Sequence, residues 1–293
     1  MLVKWGSYVG DNGFVFDSKG LQMSDFQLGV IGGGNMAEAI LRGVIRGNFL
    51  PHSEVVASEP LLDRRRHLGR LLNISTVEDN SVPASCKRIL LAVKPQKMPY
   101  VLERIAPVVR DDATVMSIAA GVSTDMIDKG LGNKGAIVRI MPNTPMLVGA
   151  GMCAIAPGPR AAEADLAFTE KLFGICGRVV RVNETMMDAV TAVSGSGPAY
   201  FFYLVEAMIE AGVAEGLDED IARMLAVETC LGAGRMLSES EDPPEVLRAR
   251  VTSPQGTTQR AIEAMDSANV RIALVDAVRK AAARSRELSS PEE

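Results

Sequence analysis

In the first half of the chain, short apolar runs alternate with stretches that repeat at helical spacing. Gln27-Leu28-Gly29-Val30-Ile31 reads as a buried strand, and Met36 to Arg46 places apolar residues along one helix face. Val55-Val56-Ala57 is the next strand, followed by helix from Leu61 to Leu72. Ile89-Leu90-Leu91-Ala92-Val93 is continuously apolar and bounded by charge and Pro95, as expected of a strand covered on both faces. Thr114 to Ile118 and Ile137 to Ile140 are further strands. This βαβ alternation predicts a doubly wound α/β sheet up to about residue 160.

Beyond Arg160 the pattern changes. Apart from a candidate strand at Arg178 to Val182, helices are expected at Glu184 to Ala192, Ala199 to Glu215, Glu219 to Leu237, Pro244 to Arg250, Gln259 to Met265 and Val270 to Arg286. Several are apolar or small on more than one face, as in Leu225-Ala226-Val227-Glu228-Thr229-Cys230-Leu231-Gly232-Ala233-Gly234. A helix apolar all round must be buried. A domain of ~130 residues encloses few such helices, so some are expected to pack against a second subunit. The expected organisation is a loose tail over 1–22, a Rossmann-like domain over 23–160 and an all-helical domain over 161–293. Met23-Ser24-Asp25-Phe26 would then open the first domain, with an ordered extra strand before it as the alternative.

Composition narrows the function classes. The 293 residues are 47% hydrophobic and 23% charged, which is ordinary for a globular protein. A net charge of -5 and a single short basic cluster, Arg64-Arg65-Arg66, give no nucleic-acid footprint. No apolar run approaches the ~18 uninterrupted residues of a membrane span, and residues 1–22 lack a signal peptide's basic start and apolar middle. Cys86, Cys153, Cys176 and Cys230 are scattered, with no CxxC pair, so no metal site is expected. They read as small buried hydrophobes in a reducing, cytoplasmic setting. With His52 and His67 as the only histidines, a His-rich metal site is excluded and a Ser-His-Asp triad is disfavoured.

Gly32-x-Gly34-x-x-Ala37 follows a strand and opens a helix. Its glycines permit a tight turn and let backbone N–H groups approach a pyrophosphate at the helix N-terminus. The end of the second strand selects the cofactor. Ser58 stands where an acidic residue would bind the ribose of NAD, and Arg64, Arg65 and Arg66 follow one turn on. A hydroxyl with nearby arginines suits the 2′-phosphate of NADPH. Glu59, one position later, leaves NADH open, and a solvated helix face is the alternative reading of the arginines.

Two further small-residue stretches precede helices: Ser194-Gly195-Ser196-Gly197-Pro198 and Thr252-Ser253-Pro254-Gln255-Gly256-Thr257-Thr258. Pro198 suits a first helical position, with Ser196 or Gly197 as the cap. Each could be ordinary capping. Together, beside a dinucleotide turn, they favour a site where helix N-termini hold a small carboxylate.

These motifs resemble those of the pyrroline-5-carboxylate reductases. The matching segments are Ile31 to Ala39 (IGGGNMAEA), Leu91 to Gln96 (LAVKPQ), Val138 to Pro145 (VRIMPNTP), Asp188 to Tyr200 (DAVTAVSGSGPAY) and Val251 to Thr258 (VTSPQGTT), with Arg284-Ser285-Arg286-Glu287-Leu288 near the end. The resemblance runs from about Met23 to Leu288. It implies hydride transfer from NAD(P)H to the C=N carbon of 1-pyrroline-5-carboxylate, giving L-proline. It implies that Gly32, Gly34, Asn35 and Met36 lie along the pyrophosphate, Ser58 near the adenosine ribose, Ala92, Lys94 and Pro95 along the cofactor, and Asn143 at the nicotinamide end. Ser196, Gly197, Gly256, Thr257 and Thr258 would hold the substrate carboxylate through backbone N–H groups. Thr258 would also bond the ring nitrogen, with Glu241 a weaker candidate there. The family also implies a homodimer with interlocked helical domains, in some members assembled into larger rings.

One residue departs from the family's motif: Gln255 stands where a glycine is usual, and it is strained if that position needs a positive φ. The imine substrate accounts for the scarcity of acids. The expected helical half holds no histidine, and its only lysines are Lys171 and Lys280. A cyclic imine arrives protonated and needs no strong protein acid. A β-hydroxyacid dehydrogenase, another imine reductase and a catalytically silent dinucleotide-binding regulator are the rival readings. The first would need a lysine between Glu184 and Leu237, where there is none.

Overall fold

The structure is a computed structural model and describes residues 26–289. The expected tail at 1–22 and the expected start at Met23 lie outside the described residues. In chain order the elements are β1 (Leu28–Ile31), α1 (Asn35–Arg46), β2 (Val55–Ser58), α2 (Leu62–Leu72), β3 (Ser75–Val77), α3 (Ser81–Ala84), β4 (Arg88–Leu91), α4 (Met98–Ile105), β5 (Thr114–Ser117), α5 (Thr124–Gly130), β6 (Ala136–Met141), β7 (Gly151–Pro157), α6 (Glu163–Gly174) and β8 (Gly177–Arg181). They build one sheet in the order β3-β2-β1-β4-β5-β6-β7-β8. The strands from β3 to β6 run parallel, β7 is antiparallel to β6, and β8 is parallel to β7. Chain order reverses between β1 and β4. In sheets of this kind ligands bind beyond the C-terminal strand ends at that point.

Alternation along the strands supplies both faces of the core. Leu28, Val30, Leu90, Met116 and Val138 pack with Ala37, Ile40, Leu41 and Val44 of α1. Those four α1 residues fall at i, i+3, i+4 and i+7, which is one face of the helix. Ile31, Ile89, Leu91, Val115 and Ile137 join the other cluster, with Met98, Val101, Leu102 and Ile105 of α4 and Ile127 of α5. Each of the valine, leucine, isoleucine and methionine side chains contributes about 1.5–3 kcal/mol on burial, and a one-residue slip of a strand would exchange its two faces.

The chain divides into one compact unit ending at Met187 and a second beginning at Asp188. The division thus falls later than the expected boundary after Arg160, because α6 packs its Leu166, Leu172 and Phe173 into the core of the sheet and β8 pairs with β7. Gly151-Met152-Cys153-Ala154-Ile155-Ala156-Pro157 is short-chained and reads poorly as a strand, yet it lies against β6 and is mostly buried. β3 was also not anticipated. It has three half-buried residues, Ser75 to Val77, too few to show a period.

The second unit is helical: α7 (Met187–Val190) leads into a π-helical turn, Thr191–Gly195, then α8 (Gly197–Ala214), α9 (Glu219–Glu239), α10 (Pro244–Arg250), α11 (Thr257–Ser267) and α12 (Val270–Ser289). Within α8 to α12 only Gly197, Ala222, Ala226 and Ser285 are buried. Tyr203 is 75% exposed, Ile272 66% and Leu225 53%. Four small residues do not make a core, so the single chain carries this unit's apolar surface outward.

Candidate functional site

The glycine turn sits at the reversal point of the sheet. Gly32 has φ +100, and a Cβ there would come within 2.6 Å of the Ala92 carbonyl oxygen. Its N–H donates to the Ser58 carbonyl at 2.9 Å. No side chain fits, and β1, β2 and β4 close around the residue. Gly34 is the N-cap of α1 and brings no side-chain cap. A Cβ at Gly34 would meet nothing within 4 Å. The first N–H groups of α1, from Asn35 and Met36, therefore have no capping side chain from Gly34, and no side chain at that position would block an approaching ligand. That arrangement fits a pyrophosphate.

Both backbone groups of Gly33 are held by side chains. Its N–H donates to Glu59 Oε2 at 2.9 Å, and its carbonyl accepts from Arg64 Nε at 2.5 Å. The other Glu59 oxygen accepts the Leu61 N–H at 3.0 Å. Glu59 therefore faces the turn. Arg65 donates to the Glu59 and Pro60 carbonyls and pairs with Glu78. Arg64 and Arg65 thus serve the chain itself, and Arg66 lies exposed on α2. Arg64 also pairs with Glu38 at 2.7 Å in the first turn of α1, where Arg42 joins it at 2.6 Å. Burial alone would push the Glu38 carboxyl up, but hydrogen bonds from Arg42 and Arg64 prevail and hold it below the ordinary glutamate value.

Ser58 is 1% exposed, and its hydroxyl donates to Asn80 Oδ1 at 2.7 Å. Asn80, just past β3, was missed in the sequence because β3 itself was not legible. It is half-buried and sits at the same strand edge. At the end of β4, Ala92 N–H donates to the Ile31 carbonyl at 2.8 Å, and Lys94 precedes a 3₁₀ turn opened by Pro95. Asn143 follows β6. It is 9% exposed, and its Oδ1 accepts the Met152 N–H at 2.9 Å, which fixes the amide plane. Gly32, Gly34, Ser58, Ala92, Lys94, Pro95 and Asn143 thus all stand at C-terminal ends of parallel strands. Near the end of this unit Glu184 accepts from the Thr124 N–H, the Thr124 hydroxyl and Arg139 of β6.

In the second unit, the segment around Ser196 differs from expectation. It is not a turn with a free helix start. Ser196 N–H donates to the Thr191 carbonyl at 2.8 Å, an i to i−5 bond, and helix runs through from α7 to α8. The physical reason is Pro198. In an α-helical register its ring would strike the Ser194 carbonyl and it would donate no bond, so the helix widens by one residue there. Tyr200 Oη donates to the Ala192 carbonyl inside that widened turn at 3.0 Å. Asp188 accepts from the buried Ser285 hydroxyl at 2.6 Å, which joins the start of one motif segment to the last one, on α12.

The third small-residue stretch does open a helix. Gly256 caps α11 without a side-chain bond, but its own N–H already donates to the Ser253 carbonyl at 3.0 Å. Of the expected carboxylate donors, the Ser196 and Gly256 N–H groups are therefore already engaged. Thr257 and Thr258 occupy the first turn of α11, and Thr258 is half-buried. Glu241 is exposed between α9 and α10. Gln255 has φ +60, so the position does require the left-handed region.

Residues 184–288 match the family model for pyrroline-5-carboxylate reductase dimerisation, and residues 27–121 match that for NADP oxidoreductase, coenzyme F420-dependent. The chain is 43% identical to a pyrroline-5-carboxylate reductase of Synechocystis over 89% of its own length and 98% of the relative's. It resembles the solved structure of a pyrroline-5-carboxylate reductase from Coxiella burnetii with a TM-score of 0.85 at 35% identity, covering 91% of this chain and 100% of that one. The Plasmodium falciparum pyrroline carboxylate reductase, solved with NADP bound, matches with a TM-score of 0.83 at 28% identity over 92% of this chain and 100% of that one.

Proposed function

The chain belongs to the pyrroline-5-carboxylate reductase family, and on that footing we propose how its residues divide the work of reducing the C=N bond of 1-pyrroline-5-carboxylate to L-proline. The coverage of the similarity carries this reading, because it takes in the glycine turn and both small-residue stretches. The nicotinamide dinucleotide supplies the hydride when bound. The Asn35 and Met36 N–H groups above Gly34 hold its pyrophosphate, and Ala92, Lys94 and Pro95 border it at the end of β4. Asn143, fixed through Met152, orients the nicotinamide end.

The substrate carboxylate is held by the uncapped first turn of α11, through Thr257 and Thr258, with Gly197 beside the widened turn as a second contact. The Thr258 hydroxyl bonds the ring nitrogen. The second unit has no histidine, and its one lysine, Lys280, is exposed and paired with Asp276 at 2.8 Å. The substrate therefore brings its own proton on the ring nitrogen, and the protein contributes orientation and field. Glu241 gains no support beyond its place in the loop.

NADPH is the expected cofactor. A neutral pair, Ser58 and Asn80, stands where a carboxylate would repel a 2′-phosphate, and Glu59 faces the glycine turn. The protein works as a homodimer through its helical unit, and rings of such dimers extend that assembly. The four cysteines are free thiols, three of them buried, and burial pushes the Cys86 thiol up to about 11. Cysteines left unpaired in this way are the pattern of a reducing compartment, which supports a cytoplasmic setting. The test is parallel turnover of 1-pyrroline-5-carboxylate with NADPH and with NADH. A higher kcat/KM with NADPH is expected. A higher value with NADH would reject the role given to Ser58 and Asn80.

A further inference from the structure

Three consecutive glycines at the mouth of a cofactor site pose a physical problem. Glycine loses more backbone freedom on ordering than any other residue, so a glycine turn left loose would have to be ordered by each incoming ligand. Here Gly33, the middle residue, is gripped from outside. Its N–H meets the Glu59 carboxylate at 2.9 Å and its carbonyl meets Arg64 Nε at 2.5 Å. A Cβ on Gly33 would lie 2.6 Å from Leu68 Cδ1 and 3.0 Å from Glu59 Oε2, so the turn packs flush against the β2–α2 segment. Glu59 is 9% exposed, and its second oxygen is occupied by the Leu61 N–H at 3.0 Å. Arg64 reaches on to Glu38 in α1. The segment that borders the ribose thus clamps the turn that faces the pyrophosphate.

We propose that Glu59 and Arg64 are positioning residues that pre-order the phosphate-binding turn, and that Glu59 is not a ribose ligand. The proposal rests on the glycine turn being the dinucleotide site. It separates cleanly from the usual role of an acidic residue at the end of the second strand. A ribose ligand discriminates between NADH and NADPH, whereas a clamp on Gly33 serves the pyrophosphate that both share.

The experiment is titration of the full-length protein with NADPH and with NADH, followed by cofactor fluorescence without substrate. Glu59→Ala is expected to raise both dissociation constants by a similar factor, roughly tenfold. Glu59→Gln, whose amide oxygen can still accept the Gly33 N–H, is expected to recover much of the loss. Arg64→Ala is expected to act in the same direction and to add little on top of Glu59→Ala, since both grip one residue. It also serves as the test should Glu59→Ala fail to fold. With wild-type protein that binds both cofactors, an unchanged affinity in these variants would overturn the clamp. A loss confined to NADH would overturn it too and make Glu59 a ribose ligand. Wild-type protein that binds neither cofactor would refute the cofactor site itself.

Discussion

Gln255 shows how one residue can be legible in kind before it is legible in place. The sequence marks it as the departure from a glycine, and its cost depends on φ. That angle is +60, in a turn where Ser253 C=O accepts the Gly256 N–H at 3.0 Å and Pro254 precedes it. Such a turn favours proline and then glycine. A side chain in the left-handed region costs about 1–2 kcal/mol, while glycine costs about 0.5–1 kcal/mol in chain entropy. The Gln255 N–H donates to the Gln259 side chain at 2.7 Å, and a glycine would keep that bond because it is made by the backbone. Gln255→Gly is therefore expected to stabilise the protein by roughly 0.5 kcal/mol, read as a higher urea midpoint at unchanged slope. A lower midpoint would show that the glutamine side chain contributes to folding. Glu59 gives the complementary lesson. Its type and position were visible, but which of two neighbours its oxygens face is set by the approach of Gly33, some 26 positions earlier.

Elements of regular period were legible. The helix face of α1 and the apolar run of β4 followed from spacing alone, because burial on one face or two imposes that spacing. Elements whose burial comes from distant chain were not. β3 and β7 exist because β2 and β6 offer edges to pair with. The widened turn at Thr191–Gly195 belongs with these. Ser-Gly-Ser-Gly-Pro reads as a break, yet the helix continues through it by changing its bond pattern. Tyr200 contributes to that continuity. Tyr200→Phe removes a hydrogen bond to the Ala192 carbonyl and is expected to cost about 1 kcal/mol, seen as a lower melting temperature. Its kcat/KM should fall more than its cofactor affinity, since the widened turn belongs to the substrate side of the assignment. An unchanged melting temperature would remove Tyr200 from this role.

For the molecule as a whole, the over-apolar helices are the main evidence of association. Leu225 on α9 is 53% exposed in the single chain. Substitutions at truly exposed positions usually change stability by no more than about 0.5 kcal/mol. Leu225→Asp is instead expected to dissociate the oligomer and abolish turnover, measured by sedimentation and by rate. An oligomer of unchanged mass would place the interface on other helices.

The sequence settled what depends on local chemistry and period: the parallel strands, the glycine turn, the small-residue stretch before α11 and the need for a partner to cover the second unit. It did so because each follows from residues within a turn or two of one another. The full length of the sheet, the inward aim of Glu59 and Arg64, the pairing of Ser58 with Asn80 and the conversion of an apparent turn into a π-helical one came from the fold. Each depends on where remote segments meet, and meetings at that range leave no period to read.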